Sequence, residues 1–160
     1  MRLGRRLGRA PRPSSSTLSR AIAYGVCGWC MEIVFTAVGD AIRGHGLALR
    51  GETYLWMLPI YGAGGILLER VHRRLAPHVP REVRAFAYVG AMYAVEFGSG
   101  WLLCRALGKC PWDYGDRGLN VHGLIRLDFL PFWYGLGLAF EPVQARIDGA
   151  LARRVRAAEE

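Results

Sequence analysis

Ala85-Phe-Ala-Tyr-Val-Gly-Ala-Met-Tyr-Ala-Val-Glu96-Phe-Gly-Ser-Gly-Trp-Leu-Leu-Cys104 is a run of twenty residues with a single charge, Glu96. A helix needs roughly 20 residues at 1.5 Å rise to cross a hydrocarbon core of about 30 Å, so this stretch is long enough to span a bilayer. Upstream, Ala21–Gly39 repeats the pattern over nineteen residues in which Glu32 is the only charge. Thr53–Leu68 is an uncharged block of sixteen closed by Glu69-Arg70, and Leu124–Phe140 is a weaker one with Arg126 and Asp128 near its start. Period-2 alternation is missing and the chain is too short for a transmembrane barrel. Several such blocks in 160 residues leave too few polar faces to cover them in water. The chain therefore reads as all-α, an integral membrane four-helix bundle whose membrane domain covers residues 21–142, with spans at about 21–39, 53–69, 85–104 and 124–141.

Charge orients the bundle. The net charge is +8, and of the 21 basic residues only Lys109 is not arginine. Six arginines precede the first span, two lie in residues 40–52, five in 70–84, four basic residues in 105–126 and four arginines in 141–160. With both termini cytosolic, fifteen basic residues fall inside and six outside, as the positive-inside rule requires. Trp56, Trp101, Trp112 and Trp133 then all fall on the outer side, where indoles favour the interface. The positive charge is thus an orientation signal and an attraction for anionic lipid headgroups, not a nucleic-acid footprint. The mean hydropathy of +0.14 averages apolar spans with their arginine flanks.

Residues 1–20 carry six arginines, no acid and Ser14-Ser15-Ser16, the composition of a disordered basic cytosolic tail. The first apolar run follows that basic start as in a signal peptide, but Trp29 and Glu32 interrupt it and no small-x-small cleavage site precedes Asp40 convincingly, so it is expected to be a retained span. After Pro142, Val143, Ile147, Leu151 and Val155 recur every four residues, with arginines elsewhere around the helix. Residues 143–160 therefore read as an amphipathic cytosolic helix, suited to the inner membrane surface or to ordinary solvation.

Glu32 and Glu96 are the residues most in need of a reason. A carboxylate deep in a bilayer costs several kcal/mol and usually faces a bundle interior, a partner or a water path. With Tyr61 they form a candidate polar intramembrane site; fixing helix packing is the plain alternative. Glu69 and Glu141, at inner span ends, are expected to snorkel. Pro59-Ile60-Tyr61-Gly62 followed by Gly64-Gly65 is expected to break or kink the second span. The loop Cys110–Gly123 and the residues after it gather a candidate outer-loop site of Trp112, Asp113, Tyr114, Asn120, His122, Arg126 and Asp128, against the alternative of a structured cap. Cys27-Gly-Trp-Cys30 has redox spacing, but lies inside an apolar run where a thiolate is costly. Cys104 and Cys110 fall together at the outer face and form a disulfide if the compartment is oxidising. No Ser-His-Asp order, phosphate loop or zinc signature occurs, so no catalytic residue, metal or cofactor is assigned.

Tyr24-x-x-x-Gly28-Trp29-x-x-Glu32, Arg50-Gly51, Pro59-Ile60-Tyr61-Gly62, Glu96-Phe97, Trp112-Asp113-Tyr114 and Asn120-x-x-Gly123 follow one another in an order and spacing that resembles a bacterial family labelled putative ABC-transporter permease. Ile60-Tyr61-Gly62 to Glu69-Arg70, with Cys110-Pro-Trp-Asp-Tyr, is also similar to the eukaryotic transmembrane protein 229 family. The resemblance covers about Tyr24 to Glu141. It implies a small polytopic protein of unassigned biochemistry, in which Glu32, Tyr61, Glu96, Trp112, Asp113 and Asn120 are motif positions. Many bacterial members carry arginine directly after the glycine of Asn-x-x-Gly, where this chain has Leu124.

The leading reading is a permease-like protein or accessory transport subunit, expected in a bacterial plasma membrane, with the two glutamates and the Trp112–Asn120 loop forming a pocket open outward. Lacking a phosphate loop, it would depend on an ATPase partner for hydrolysis, or act as a homo-oligomer. Two other classes remain: a membrane enzyme acting on a lipid or isoprenoid with His122 and the acids as acid–base groups, and a structural, partner-binding bundle.

Overall fold

The computed structural model describes residues 16–160 except His45, Arg117 and the side chain of Glu159. Most of the basic tail, residues 1–15, lies outside the described residues. The fold is all-α: α1 spans Thr17–Ile42, α2 Met57–Leu75, α3 Arg81–Leu107 and α4 Leu130–Glu159, with one small hairpin between α3 and α4. Consecutive helices run in opposite directions, so one end of the bundle holds the start of α1, the end of α2 and the start of α3, and is rich in arginine. The opposite end carries the hairpin.

Helix boundaries differ from the sequence reading at informative places. The Ser16 hydroxyl accepts a hydrogen bond from Ser19 N at 3.0 Å, the usual N-cap arrangement, so α1 begins inside the stretch assigned to the tail and Arg20 is helical. Pro59 does not break α2. It is the third residue of the helix, where a missing N–H interrupts no intrahelical bond, and α2 continues for 19 residues. Residues 124–129 are not α-helical: Leu124 belongs to the hairpin turn, Ile125–Arg126 is a strand and Leu127–Phe129 a short 3-10 helix. Pro142 does not separate a fourth span from a tail helix either, because α4 runs through it as a single helix of 30 residues. Val143, Ile147, Leu151 and Val155 still share its half-buried face, with Arg146, Arg153, Arg154 and Arg156 exposed.

The closest packing is between α1 and α2. A Cβ at Gly25 would sit 2.5 Å from the Leu58 carbonyl oxygen, and one at Gly62 would sit 2.7 Å from that of Ala21. Glycine at both positions lets the two backbones nearly touch. α3 packs on α4 and on α2, while α1 meets α4 only sparingly. Towards the arginine end Tyr24, Leu68, Tyr88 and Phe140 form the buried core, the Phe140 ring lying 5.3 Å from that of Tyr88. Among the described residues α1 alone is long and apolar enough to cross a membrane by length and composition, at mean hydropathy 1.6 over its best window. Its outward face exposes Leu18, Ile22, Val26, Val34, Val38 and Ile42, spaced by multiples of four.

Between α3 and α4 the chain folds into a cap. Cys104 and Cys110 are disulfide-bonded. β1 (Asn120–Val121) pairs antiparallel with β2 (Ile125–Arg126) in the register Asn120↔Arg126 and Val121↔Ile125. The turn takes positive φ at His122 (52°) and Gly123 (70°), and a Cβ at Gly123 would collide with the Asp113 carboxylate.

Candidate functional site

One feature of spacing organises the bundle. Each helix carries an aromatic residue, a residue four later and a glutamate eight later: Tyr24/Gly28/Glu32, Tyr61/Gly65/Glu69, Tyr88/Met92/Glu96 and Trp133/Gly137/Glu141. Positions four apart stack on one helix face. In the antiparallel pair α1–α2 the two sets interlock. The Tyr24 ring lies over Gly65 and its hydroxyl donates to Glu69 Oε1 at 2.9 Å. Reciprocally, the Tyr61 ring lies over Gly28, where a Cβ would come within 2.6 Å of it, and its hydroxyl donates to Glu32. In the pair α3–α4, Tyr88 donates to Glu141 Oε1 at 3.0 Å. The reciprocal partners there would be Trp133 and Glu96. Glu96 Oε2 and Trp133 Nε1 are instead both buried without a hydrogen-bond partner among the described residues.

The carboxylates thus divide by end. At the arginine end Glu69 is only 2% exposed and faces Arg20 Nε at 3.2 Å and Arg73 Nη1 at 3.4 Å besides Tyr24. Glu141 receives a two-pronged contact from Arg84, at 2.8 Å from Nε and 2.7 Å from Nη2, with His72 at 3.5 Å. Neither snorkels. Each is drawn inward because cations from neighbouring helices meet it there, and doubly bonded arginine–carboxylate pairs are the stronger kind. Spacing along a single helix does not display partners contributed by other helices, apart from the weak i,i+4 pair Glu69–Arg73.

At the hairpin end Glu32 and Glu96 face a cavity of about 470 Å³ between the four helices. Glu32 Oε2 accepts from the Thr53 hydroxyl at 2.5 Å. The Thr36 hydroxyl donates to the Glu52 carbonyl at 3.0 Å and accepts from Glu52 N at 2.9 Å, which holds the α1–α2 loop over α1. Gly51 belongs to the same seam, since a Cβ there would lie 2.5 Å from the Ile33 carbonyl oxygen. Tyr61, Trp112 and Tyr114 also line the cavity. Burial first, and then the Glu96 and Glu32 carboxylates, pushes the Tyr114 phenol up to about 12, so it stays a neutral donor at physiological pH. The lining holds, among the described residues, two carboxylates and no arginine, lysine or histidine.

The outer-loop candidates do not form one site. Trp112 and Tyr114 reach the cavity, and Trp112 Nε1 donates to the Leu124 carbonyl at 3.3 Å while its ring packs where Gly100 leaves room. Asp113 builds the loop, accepting from Gly115 N at 2.8 Å, and Asn120 accepts from Gly123 N at 2.9 Å, which accounts for the Asn-x-x-Gly spacing as a turn. His122 is exposed, edge-on to Phe97 with ring centroids 6.1 Å apart, and outside the cavity. Arg126 pairs with Asp128 and stacks 4.0 Å over the Phe129 ring. His122 and Asp113 are therefore not among the residues lining the cavity where the two glutamates meet. Among the described residues no group of three or more His, Cys, Asp and Glu side chains is placed to hold a metal. Cys27 and Cys30 are free and exposed on α1.

No solved structure matches the chain. A family model, described as Putative ABC-transporter type IV, matches residues 21–155 and so takes in all four helices, the hairpin and both cavity glutamates. The chain belongs to this ABC-transporter-related family.

Proposed function

We propose that the chain is a four-span membrane protein of the bacterial plasma membrane, with both ends cytosolic, acting as a permease-like or accessory subunit of a transport system whose cavity is the binding site. The observation that carries the reading is the meeting of Glu32 and Glu96 in one cavity, with Glu96 Oε2 buried and unpartnered among the described residues. A carboxylate oxygen left unpaired in an apolar interior costs free energy, and function is the usual reason such a residue is kept. The cavity volume lies in the range of small-ligand pockets, whereas a purely structural bundle would be packed shut. The membrane placement is supported by the apolar stripe on α1, by the arginines gathered at one end, and by exposed Trp56 and Trp101 towards the other. Arginines on the exposed face of α4 suit anionic headgroups. ATP hydrolysis falls to a separate subunit.

Affinity purification from native membranes tests the reading. The wild-type protein is expected to resist alkaline extraction, to bring down an ATPase and to retain a small molecule that Glu32→Gln and Glu96→Gln lose while still inserting. A C-terminal reporter that reads outside would overturn the topology. Gln variants that keep both the partner and every bound species would overturn the cavity as the site.

A further inference from the structure

We propose that the cavity takes a lipid-soluble amine, which enters sideways between α1 and α4 as the neutral base and docks on Glu96 as an ammonium ion bearing at least one N–H, having taken the carboxyl proton. The inference rests on the cavity being the binding site and adds what it binds and how the ligand arrives.

Charge sets the sign. The lining carries Glu32 and Glu96 with no basic side chain among the described residues, and the nearby Arg126 is already paired with Asp128. A fatty acid or phosphate would meet two carboxylates and no counter-charge. Hydrogen bonding then separates the two acids. Glu32 accepts from Thr53 and Tyr61, whereas Glu96 Oε2 accepts from nothing among the described residues. The donor missing from the fourfold pattern of aromatic–glutamate pairs is the one a ligand N–H would supply. Trp133 Nε1, equally unpartnered, stays available to an acceptor on the ligand. Apart from the Thr36 and Ser99 hydroxyls, the remaining wall is mostly apolar and aromatic, with Tyr61, Tyr114 and Phe129 among its rings, a surface that suits an alkyl chain and the face of a cation.

Packing sets the route. α1 touches α4 at two aromatic contacts, Phe35–Phe132 with centroids 4.4 Å apart and Tyr24–Phe140 at 6.0 Å. Eleven residues, or roughly 16 Å of helix, separate Tyr24 from Phe35. Between them Cys27 and Met31 on α1 and Ala139 on α4 both line the cavity and are exposed. Those residues frame a window on the flank of the bundle, where the apolar stripe of α1 turns outward, so a neutral amine dissolved in the hydrocarbon reaches Glu96 without crossing the capped end.

Cys27 is a built-in reporter of this window. In a Cys30→Ser background the purified full chain is treated with N-ethylmaleimide, with and without dodecylamine, dodecyltrimethylammonium or laurate, and equilibrium binding of labelled dodecylamine is measured in parallel. Dodecylamine is expected to bind and to shield Cys27, and the trimethylammonium analogue to compete about tenfold or more weakly. Laurate should not compete. Glu96→Gln should bind the amine roughly 10- to 100-fold more weakly, the worth of a charged hydrogen bond. In phosphatidylcholine nanodiscs with and without ethanolamine lipid, shielding by the lipid alone would assign the same ammonium chemistry to a headgroup, and shielding only with the free amine to a free ligand. Competition by laurate equal to that by the amine, or unchanged binding in Glu96→Gln, overturns the proposal. If Glu96→Gln does not purify as a monodisperse protein, the order of the three wild-type ligands decides alone. A neutral or anionic native ligand lost in the Gln variants would sink the ammonium assignment but leave the cavity as the site. Unchanged retention of every bound species in those variants would remove both.

Discussion

The two ends of this bundle use the same residue type in opposite ways. Glu69 and Glu141 sit where arginines from other helices converge and every accessible oxygen has a donor, so they behave as ties between helices. Glu32 and Glu96 lie on the same helix faces in the same register, yet they meet hydroxyls in one case and, among the described residues, no donor in the other. Identical spacing therefore gives a clamp at one end and an open cavity holding two carboxyl groups at the other. The neighbours decide the difference: cations cluster at the end that holds the start of α1 and the end of α2, and tyrosine, threonine and tryptophan line the interior towards the cap.

The comparison can be broken in four ways. The largest effect is expected at the arginine end, where Glu69→Ala removes the acceptor of the buried Tyr24 hydroxyl and the carboxylate that Arg20 and Arg73 face, and should cost about 3–5 kcal/mol. Thermal unfolding in detergent checks this, and a loss under about 1 kcal/mol would mean that the clamp does not hold the fold. Gly65→Ala comes next: its Cβ collides with the Tyr24 ring and pushes the hydroxyl from Glu69, for a loss of about 2–3 kcal/mol and weakened helix pairing, read by cross-linking of α1 to α2. Removing the Cys104–Cys110 bridge by a double Ser substitution should cost about 2 kcal/mol, given its short closed loop. That loss should loosen the cap and leave the Glu69 and Glu141 ties intact in hydrogen exchange. The smallest stability change, under about 1 kcal/mol, is expected for Glu96→Gln, because an unpartnered oxygen contributes nothing to hold. A destabilisation as large as that of Glu69→Ala would show that Glu96 is a structural tie after all.

Much of this was visible in the chain. The apolar blocks placed four helices nearly correctly, since length and composition are local properties, and the isolated charges Glu32 and Glu96 marked the cavity. The fourfold aromatic–x3–x–x3–glutamate register was also there to be read, and would have paired Tyr24 with Glu69 and Tyr88 with Glu141. Pro59 and Pro142 misled because a proline's effect depends on its position in the helix and on how the helix is packed. The sequence reading puts Arg20 in a tail and has Glu69 snorkel, and both differ from the structure for the same reason: the two residues meet across 49 positions of chain.

Composition and order along the chain therefore settled the helical class, the asymmetry of positive charge and the rarity of acids within apolar runs, because these follow from one residue and its near neighbours. Family membership came from motif order over most of the length. Only the packed structure decided which glutamates are tied and which face space, that Asp113 and Asn120 build the cap while Tyr114 looks inward, and that Cys27, Met31 and Ala139 are exposed while lining the cavity. Those outcomes depend on which side chains from distant positions arrive within about 3 Å of one another, and hydrogen bonds and ion pairs are decided at that range.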